Sequence, residues 1–89
     1  MIIGSKKRKA EEPQILETLQ RLYVDLTGRK DVRLEAGTRL NPSIGLTSLG
    51  IVQFAVLVEE EYSIAVTNSA LASFRTVRDV VKYIIKCRK

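Results

Sequence analysis

Few residues in this 89-residue chain are equipped for chemistry. The sequence holds no histidine, so the usual general base near neutral pH is missing. It holds one cysteine, Cys87, which can form no disulfide within the chain and, without histidine, no zinc site. Asp25, Asp31 and Glu35 stand near one loop with no nucleophile paired to them. What remains is a pair of hydroxyls, Thr47 and Ser48, at the head of the apolar stretch IGLTSLGIVQFAVLVEEEY, residues 44–62. Either hydroxyl can accept backbone N–H bonds as a helix N-cap. Alternatively, Ser48 presents its hydroxyl for something to be attached. These absences argue against a self-sufficient enzyme.

The elements around that pair follow from apolar spacing. Pro13, preceded by Glu11 and Glu12, predicts a helix starting near residues 11–13, since proline fits a first turn and acids favour the positive end of the dipole. Ile15, Leu16, Leu19, Leu22, Tyr23 and Leu26 then form one amphipathic stripe, and Gly28 is the expected stop. Residues 28–45 contain three glycines and an Asn-Pro pair, which predicts a long loop pinned to the core by Val32, Leu34, Leu40 and Ile44.

A second helix is expected from Thr47-Ser48 to about Tyr62. Leu49, Val52, Val56 and Glu59-Glu60 give it a helical face, and Ile51, Phe54, Ala55, Leu57 and Val58 widen it, predicting burial around much of its circumference. Its β-branched content would also suit a strand, but its length, cap and Glu ending favour a helix. NSALASF, residues 68–74, predicts a short helix capped by Asn68 or Ser69. Thr76 and Asp79 have the form of a capping box for a last helix, whose Val77, Val80, Val81, Ile84 and Ile85 share one face. The expected fold is all-α: a small four-helix bundle of three longer helices and a short one, with a long first loop.

Charge and hydropathy limit the function classes. The net charge is +5, and four of the fifteen basic residues are Lys6, Lys7, Arg8 and Lys9; the other eleven face ten acids. Residues 1–10 are therefore expected to form a flexible basic tail, either a solvated leader or a contact for an anionic partner, with a single domain over residues 11–89. No stretch approaches the roughly 20 apolar residues of a membrane span, and the first residues lack the apolar centre of a signal peptide. A soluble cytoplasmic protein is expected.

The ordered set of motifs is more specific than any one of them. GLTSLGIVQFAVLVEEEYSIAV followed by FRTVRDVVKYI resembles the acyl carrier protein family. That family typically has G-x-D-S-L at the start of its second helix, matched here by Gly45-Leu46-Thr47-Ser48-Leu49. The Glu run ending in Tyr62, Ile64 and Val66 after it, and the T-V-x-D-x-V-x-Y-I pattern from Thr76 also match, so the resemblance covers about residues 15–86. It implies that Ser48 is the attachment site for 4′-phosphopantetheine, transferred from coenzyme A by a separate phosphopantetheinyl transferase. The arm would carry acyl groups as thioesters between acyl-loading and acyl-processing enzymes of a fatty acid, polyketide or related pathway. Implied partner contacts are Thr47, Leu49, Gln53, Glu59, Glu60 and Ile64. A monomer is expected.

Two departures from the family stand out. Thr47 replaces the usual Asp before the serine, and Gly50 and Gln53 stand where acids are common. A neutral second helix implies partners that dock with less electrostatic help, as in a specialised pathway. Two rival functions remain: a carrier-like interaction module in which Ser48 is never modified, and a small basic DNA-binding domain using Arg78, Lys82, Lys86 and Arg88 on the last helix.

Overall fold

The computed structural model describes residues 3–88, with side chains from residue 11 onward. It contains four α-helices, and among the described residues no strand: α1 (Ile3–Thr27), α2 (Ser48–Tyr62), α3 (Asn68–Ser73) and α4 (Val77–Cys87). The all-α bundle with a long first loop is thus as the apolar spacing predicts.

Helix α1 begins earlier than expected and holds Pro13 in its interior. A proline there forfeits its own bond to the carbonyl four residues back, at a cost of about 3 kcal/mol. The preceding Lys, Arg, Ala and Glu residues are good helix formers, and their summed propensity favours continuing the helix across it. The boundary expected near residue 11 therefore falls inside α1. Met1 and Ile2, part of the expected flexible tail, lie outside the described residues.

The core forms where three apolar stripes converge. Helix α1 contributes Ile15, Leu19, Leu22 and Tyr23, α2 contributes Phe54 and Val58, and α4 contributes Val77, Val80, Val81 and Ile84. Tyr23, Leu19 and Ile84 are fully buried. Each such side chain stabilises the fold by about 1.5–3 kcal/mol relative to exposure, more than the roughly 1 kcal/mol net of a typical hydrogen bond. Packing therefore sets the helix arrangement, and polar contacts refine it.

The helix ends have specific chemistry. Gly28 takes a positive φ of 74° and donates its N–H to the Val24 carbonyl at 2.7 Å, ending α1 where expected. Helix α3 is capped by Thr67, whose Oγ1 accepts from the Ala70 N–H at 3.1 Å; Asn68 and Ser69, the expected caps, lie inside the helix. The cap is the last residue with extended backbone, here one place earlier. Helix α3 buries no residue of its own and is followed by Phe74, which packs edge-on against Tyr83 with centroids 5.7 Å apart. Thr76 and Asp79 form the expected capping box of α4.

The 28–45 loop is held by polar contacts as well as by its apolar pins. Leu34 and Leu40 are buried, with Val32 and Ile44 partly so. Gln20 clamps its first half: Nε2 donates to the Val32 carbonyl at 2.8 Å and Oε1 accepts from the Leu34 N–H at 2.7 Å. Its second half pairs with the start of α4, through Leu40 N–H to the Arg75 carbonyl and Val77 N–H to the Thr38 carbonyl, each 2.9 Å.

Candidate functional site

Ser48 stands at the junction of this loop with α2, and three anchors fix its approach. Asn41 caps a short 3₁₀ turn, Pro42–Ile44, by accepting from the Ser43 N–H at 3.0 Å. The hydroxyl of fully buried Tyr23 donates to the Ile44 carbonyl. Gly45 then reverses the chain at φ +83°, a conformation that favours glycine, and Leu46 buries its side chain at 1% exposure. The chain enters α2 from a point fixed in the core two residues before Ser48.

The next two residues divide the polar work. Thr47 has extended backbone, φ −74° and ψ −179°, and its Oγ1 accepts from the Gly50 N–H at 3.3 Å. Thr47 is therefore the N-cap, and Ser48 is the first helical residue, exposed, with capping already done by its neighbour. Of the two roles open to Ser48 in the sequence, the cap belongs to Thr47. First-turn N–H groups have no partner within a helix and carry the positive end of its dipole, a setting that suits an anion bonded at Ser48.

Helix α2 turns Phe54, Ala55 and Val58 inward and leaves Leu49, Val52 and Val56 exposed. Burial is thus narrower than the continuous apolar pattern predicts. Leu49 and Gln53, with Leu26 and Arg29, line a shallow groove of about 240 Å³ beside the α2 start. Arg29 pairs with Asp31 at 3.5 Å.

The expected partner contacts fall into two groups. Thr47, Leu49, Gln53 and Glu60 are exposed on or beside Ser48's helix. Glu59 and Ile64 are tied inward. The Glu59 Oε2 accepts from the Val66 N–H at 2.6 Å, and Ile64 packs against the core. Glu61 pairs with Arg21 at 3.1 Å. Tyr83 donates to the Ala65 carbonyl at 2.6 Å, so the α2–α3 turn is fixed from two sides. Asp79 accepts from the N–H groups of Arg75 and Thr76, which hold its carboxyl below the usual carboxylate range.

The other chemistry-bearing residues do not converge on Ser48. Asp25 and Asp31 pair with Arg21 and Arg29, and Cys87 is exposed at the far end of α4. Among the described residues no group of acids and cysteine could hold a metal, and no helix is long and apolar enough to cross a membrane.

The span that holds this serine has relatives among known proteins. A family model described as "Phosphopantetheine attachment site" matches residues 17–84. The chain belongs to the acyl carrier protein family. It is 29% identical over 72 residues to the acyl carrier protein of Phytoplasma australiense, covering 81% of this chain and 95% of that one. It is 30% identical over 77 residues to the meromycolate extension acyl carrier protein of Mycolicibacterium aurum, covering 86% and 79%. The acyl carrier protein of Rhodococcus erythropolis is 29% identical over 75 residues, covering 84% and 82%. The cofactor of this carrier domain is 4′-phosphopantetheine.

Two residues that shape the site escaped the sequence reading. Apolar spacing alone puts Tyr23 in the core, but a hydroxyl carried into a core must find a partner, and that is the signal in the sequence. Gln20 sits between the apolar Leu19 and Leu22 on the loop-facing side of α1, where a polar side chain is well placed to bond loop backbone.

Proposed function

We propose that Ser48 is the residue that carries the 4′-phosphopantetheine arm. The observation that supports it most is the division of labour at the α2 start. Thr47 satisfies the helix, which leaves Ser48 exposed and uncommitted within the matched family span. The residues fit the group: an oxygen at the surface, a helix N-terminus for the phosphodiester, and a held loop that keeps both in place. When bound, the arm supplies a flexible thiol on which acyl groups ride as thioesters.

The chain's own residues have limited tasks. Ser48 supplies the oxygen that becomes bonded to the phosphorus of the phosphopantetheine half of coenzyme A, as the pyrophosphate bond breaks and 3′,5′-ADP leaves; a separate transferase brings coenzyme A, magnesium and the base that takes the serine proton. Thr47, Leu46 and Tyr23 hold that oxygen at a fixed place. The protein needs no histidine, because it performs no proton transfer of its own. We take it to be a non-catalytic monomer, met in turn by the transferase and by acyl-loading and acyl-processing enzymes. The names of its relatives favour cargo of the fatty-acyl type, and the free Cys87 suits the reducing cytoplasm.

The test is intact mass after incubation with coenzyme A, magnesium and a broad-specificity phosphopantetheinyl transferase. The parent gains one phosphopantetheine and Ser48→Ala gains none. Because Ser48 is exposed and does not cap α2, Ser48→Ala should stay within about 0.5 kcal/mol of the parent in stability. An unmodified parent beside a modified control carrier would instead make this an interaction module.

A further inference from the structure

Among the residues lining the groove beside the α2 start, Arg29 alone is charged. Its side chain lies over Gly45, with Cδ and Nη1 each 3.5 Å from where a Cβ on that glycine would stand. The guanidinium therefore sits beside the turn that delivers Ser48. Thr47 and Leu49, the chain neighbours of Ser48, line the same groove, so the serine stands at its rim. The guanidinium is loosely engaged. Asp31 is the acid paired with it, at 3.5 Å and with 72% of its own side chain exposed. A tight charge-assisted bond is shorter, about 2.7–2.9 Å, and an exposed pair contributes little. No acid stands between Ile44 and Val58 to compete for Arg29.

We propose that Arg29 is a positioning residue for the arm, its guanidinium holding the phosphodiester at Ser48. The inference rests on the assignment of the arm to Ser48. Three arguments select this residue and this group. The first is chemistry: a guanidinium is always charged, and its planar fork of donors matches two oxygens of a phosphate. The second is charge. Helix α2 carries no charged side chain from Ser48 to Val58, so a phosphodiester on Ser48 brings in an anion with no counter-ion nearby on its own helix. The first-turn N–H groups offer it partial positive charge, and Arg29 offers a full one. The third is the absence of a competitor. An acid at residue 47 would take Arg29 for itself and repel the phosphate, whereas Thr47 provides the cap without a charge. The cation comes from the loop after α1 and the bonded oxygen from α2. Their contact ties the two sides of the groove together and fixes the direction in which the root of the arm leaves the protein.

The test compares unmodified and modified forms of the full chain. The modified form is made with coenzyme A, magnesium and a broad-specificity phosphopantetheinyl transferase and verified by intact mass. In the parent, the Arg29 Nε–H resonance should shift on modification. The modified form should melt about 2–5 °C above the unmodified one at about 50 mM sodium chloride, with roughly half of that gain lost at about 500 mM. Arg29→Ala should remove at least about half of the gain, and Arg29→Lys should leave an intermediate one, because an ammonium lacks the fork. Thr47→Asp should also reduce it, since the new carboxylate takes Arg29, while Asp31→Asn should keep or enlarge it. Lys30→Ala, at the exposed neighbouring residue, should leave it unchanged. If Arg29→Ala lowers the Tm of both forms equally, Arg29 only packs over Gly45 and the proposal is overturned. The same holds if the Arg29 Nε–H resonance is identical in the two forms, or if Lys30→Ala reduces the gain as much as Arg29→Ala does. Should Arg29→Ala fail to fold, Arg29→Gln and the parent's Arg29 resonance decide the question. A parent modified at Ser48 with any of these negative results sinks the Arg29 proposal alone. A parent that is never modified removes the Ser48 assignment with it.

Discussion

Tyr23→Phe isolates the contact that ties the core to the site. Tyr23 is fully buried and its hydroxyl donates to the Ile44 carbonyl, four residues before Ser48. Phenylalanine keeps the ring and nearly all its packing, so no cavity term enters. The loss is one hydrogen bond, about 0.5–1.5 kcal/mol net, plus up to about 1–3 kcal/mol if the carbonyl is left dry. Ile44 is only partly buried, so water can reach it and the lower part of that range applies. The expected cost is about 1–1.5 kcal/mol, or a fall in Tm of roughly 4–12 °C for a domain of this size. Thermal melting at pH 7 reads the total. Amide hydrogen exchange reads the location: the N–H groups of Gly45 and Leu46, bonded to the Pro42 and Asn41 carbonyls, should exchange faster relative to those of α4. A variant with the parent's Tm and unchanged exchange at Gly45 and Leu46 would refute the idea that Tyr23 anchors this loop.

Two further outcomes separate local roles. Thr47→Ala removes the α2 cap and should cost about 0.5–1 kcal/mol in urea unfolding, at the low end because the bond to Gly50 is long at 3.3 Å; if Ser48→Ala cost that and Thr47→Ala nothing, the cap assignment would be reversed. Asp79→Ala should cost about 0.5–2 kcal/mol at pH 7. Since the folded carboxyl lies below the ordinary value of 3.8, its contribution is present above that pH and is lost as pH falls through the folded value. The stability gap between parent and variant should therefore narrow only below about pH 3.8, and a gap that closed near neutrality would contradict the capping role.

The stripes of α1 and α4, the Gly28 stop and the Thr76–Asp79 box were legible because each is local: spacing or a fixed offset of three carries the information. The caps of α2 and α3 were less so. Thr47 and Ser48 have interchangeable chemistry, and only the extended backbone at Thr47 decides between them; the same one-residue shift moved the α3 cap to Thr67. The outward stripe of α2 was hidden by apolarity on every side. Which face turns inward depends on where the loop delivers Ser48, and that rests on Tyr23, distant in sequence. The pairing of Glu61 with Arg21 was hidden for the same reason, since the partner lies on another helix.

The proposed carrier role places opposed demands on Ser48: it must be reachable by every partner yet held still for each. The structure meets them by separating the two sides of the chain. Outward are the Ser48 hydroxyl and the exposed Leu49, Val52 and Val56 of α2. Inward, Leu46 and Tyr23 fix the approach from the core, and the loop before them is paired to the start of α4 through Leu40, Thr38 and the Arg39–Thr76 bridge. Asp79 bonds the N–H groups of Arg75 and Thr76, within the segment that the loop pairs with. The capping box of α4 thus stands in one hydrogen-bonded chain with the loop that delivers Ser48. Loosening it should raise exchange at the Leu40 and Val77 amides before it affects the buried face of α2, where Phe54 and Val58 lie packed in the core.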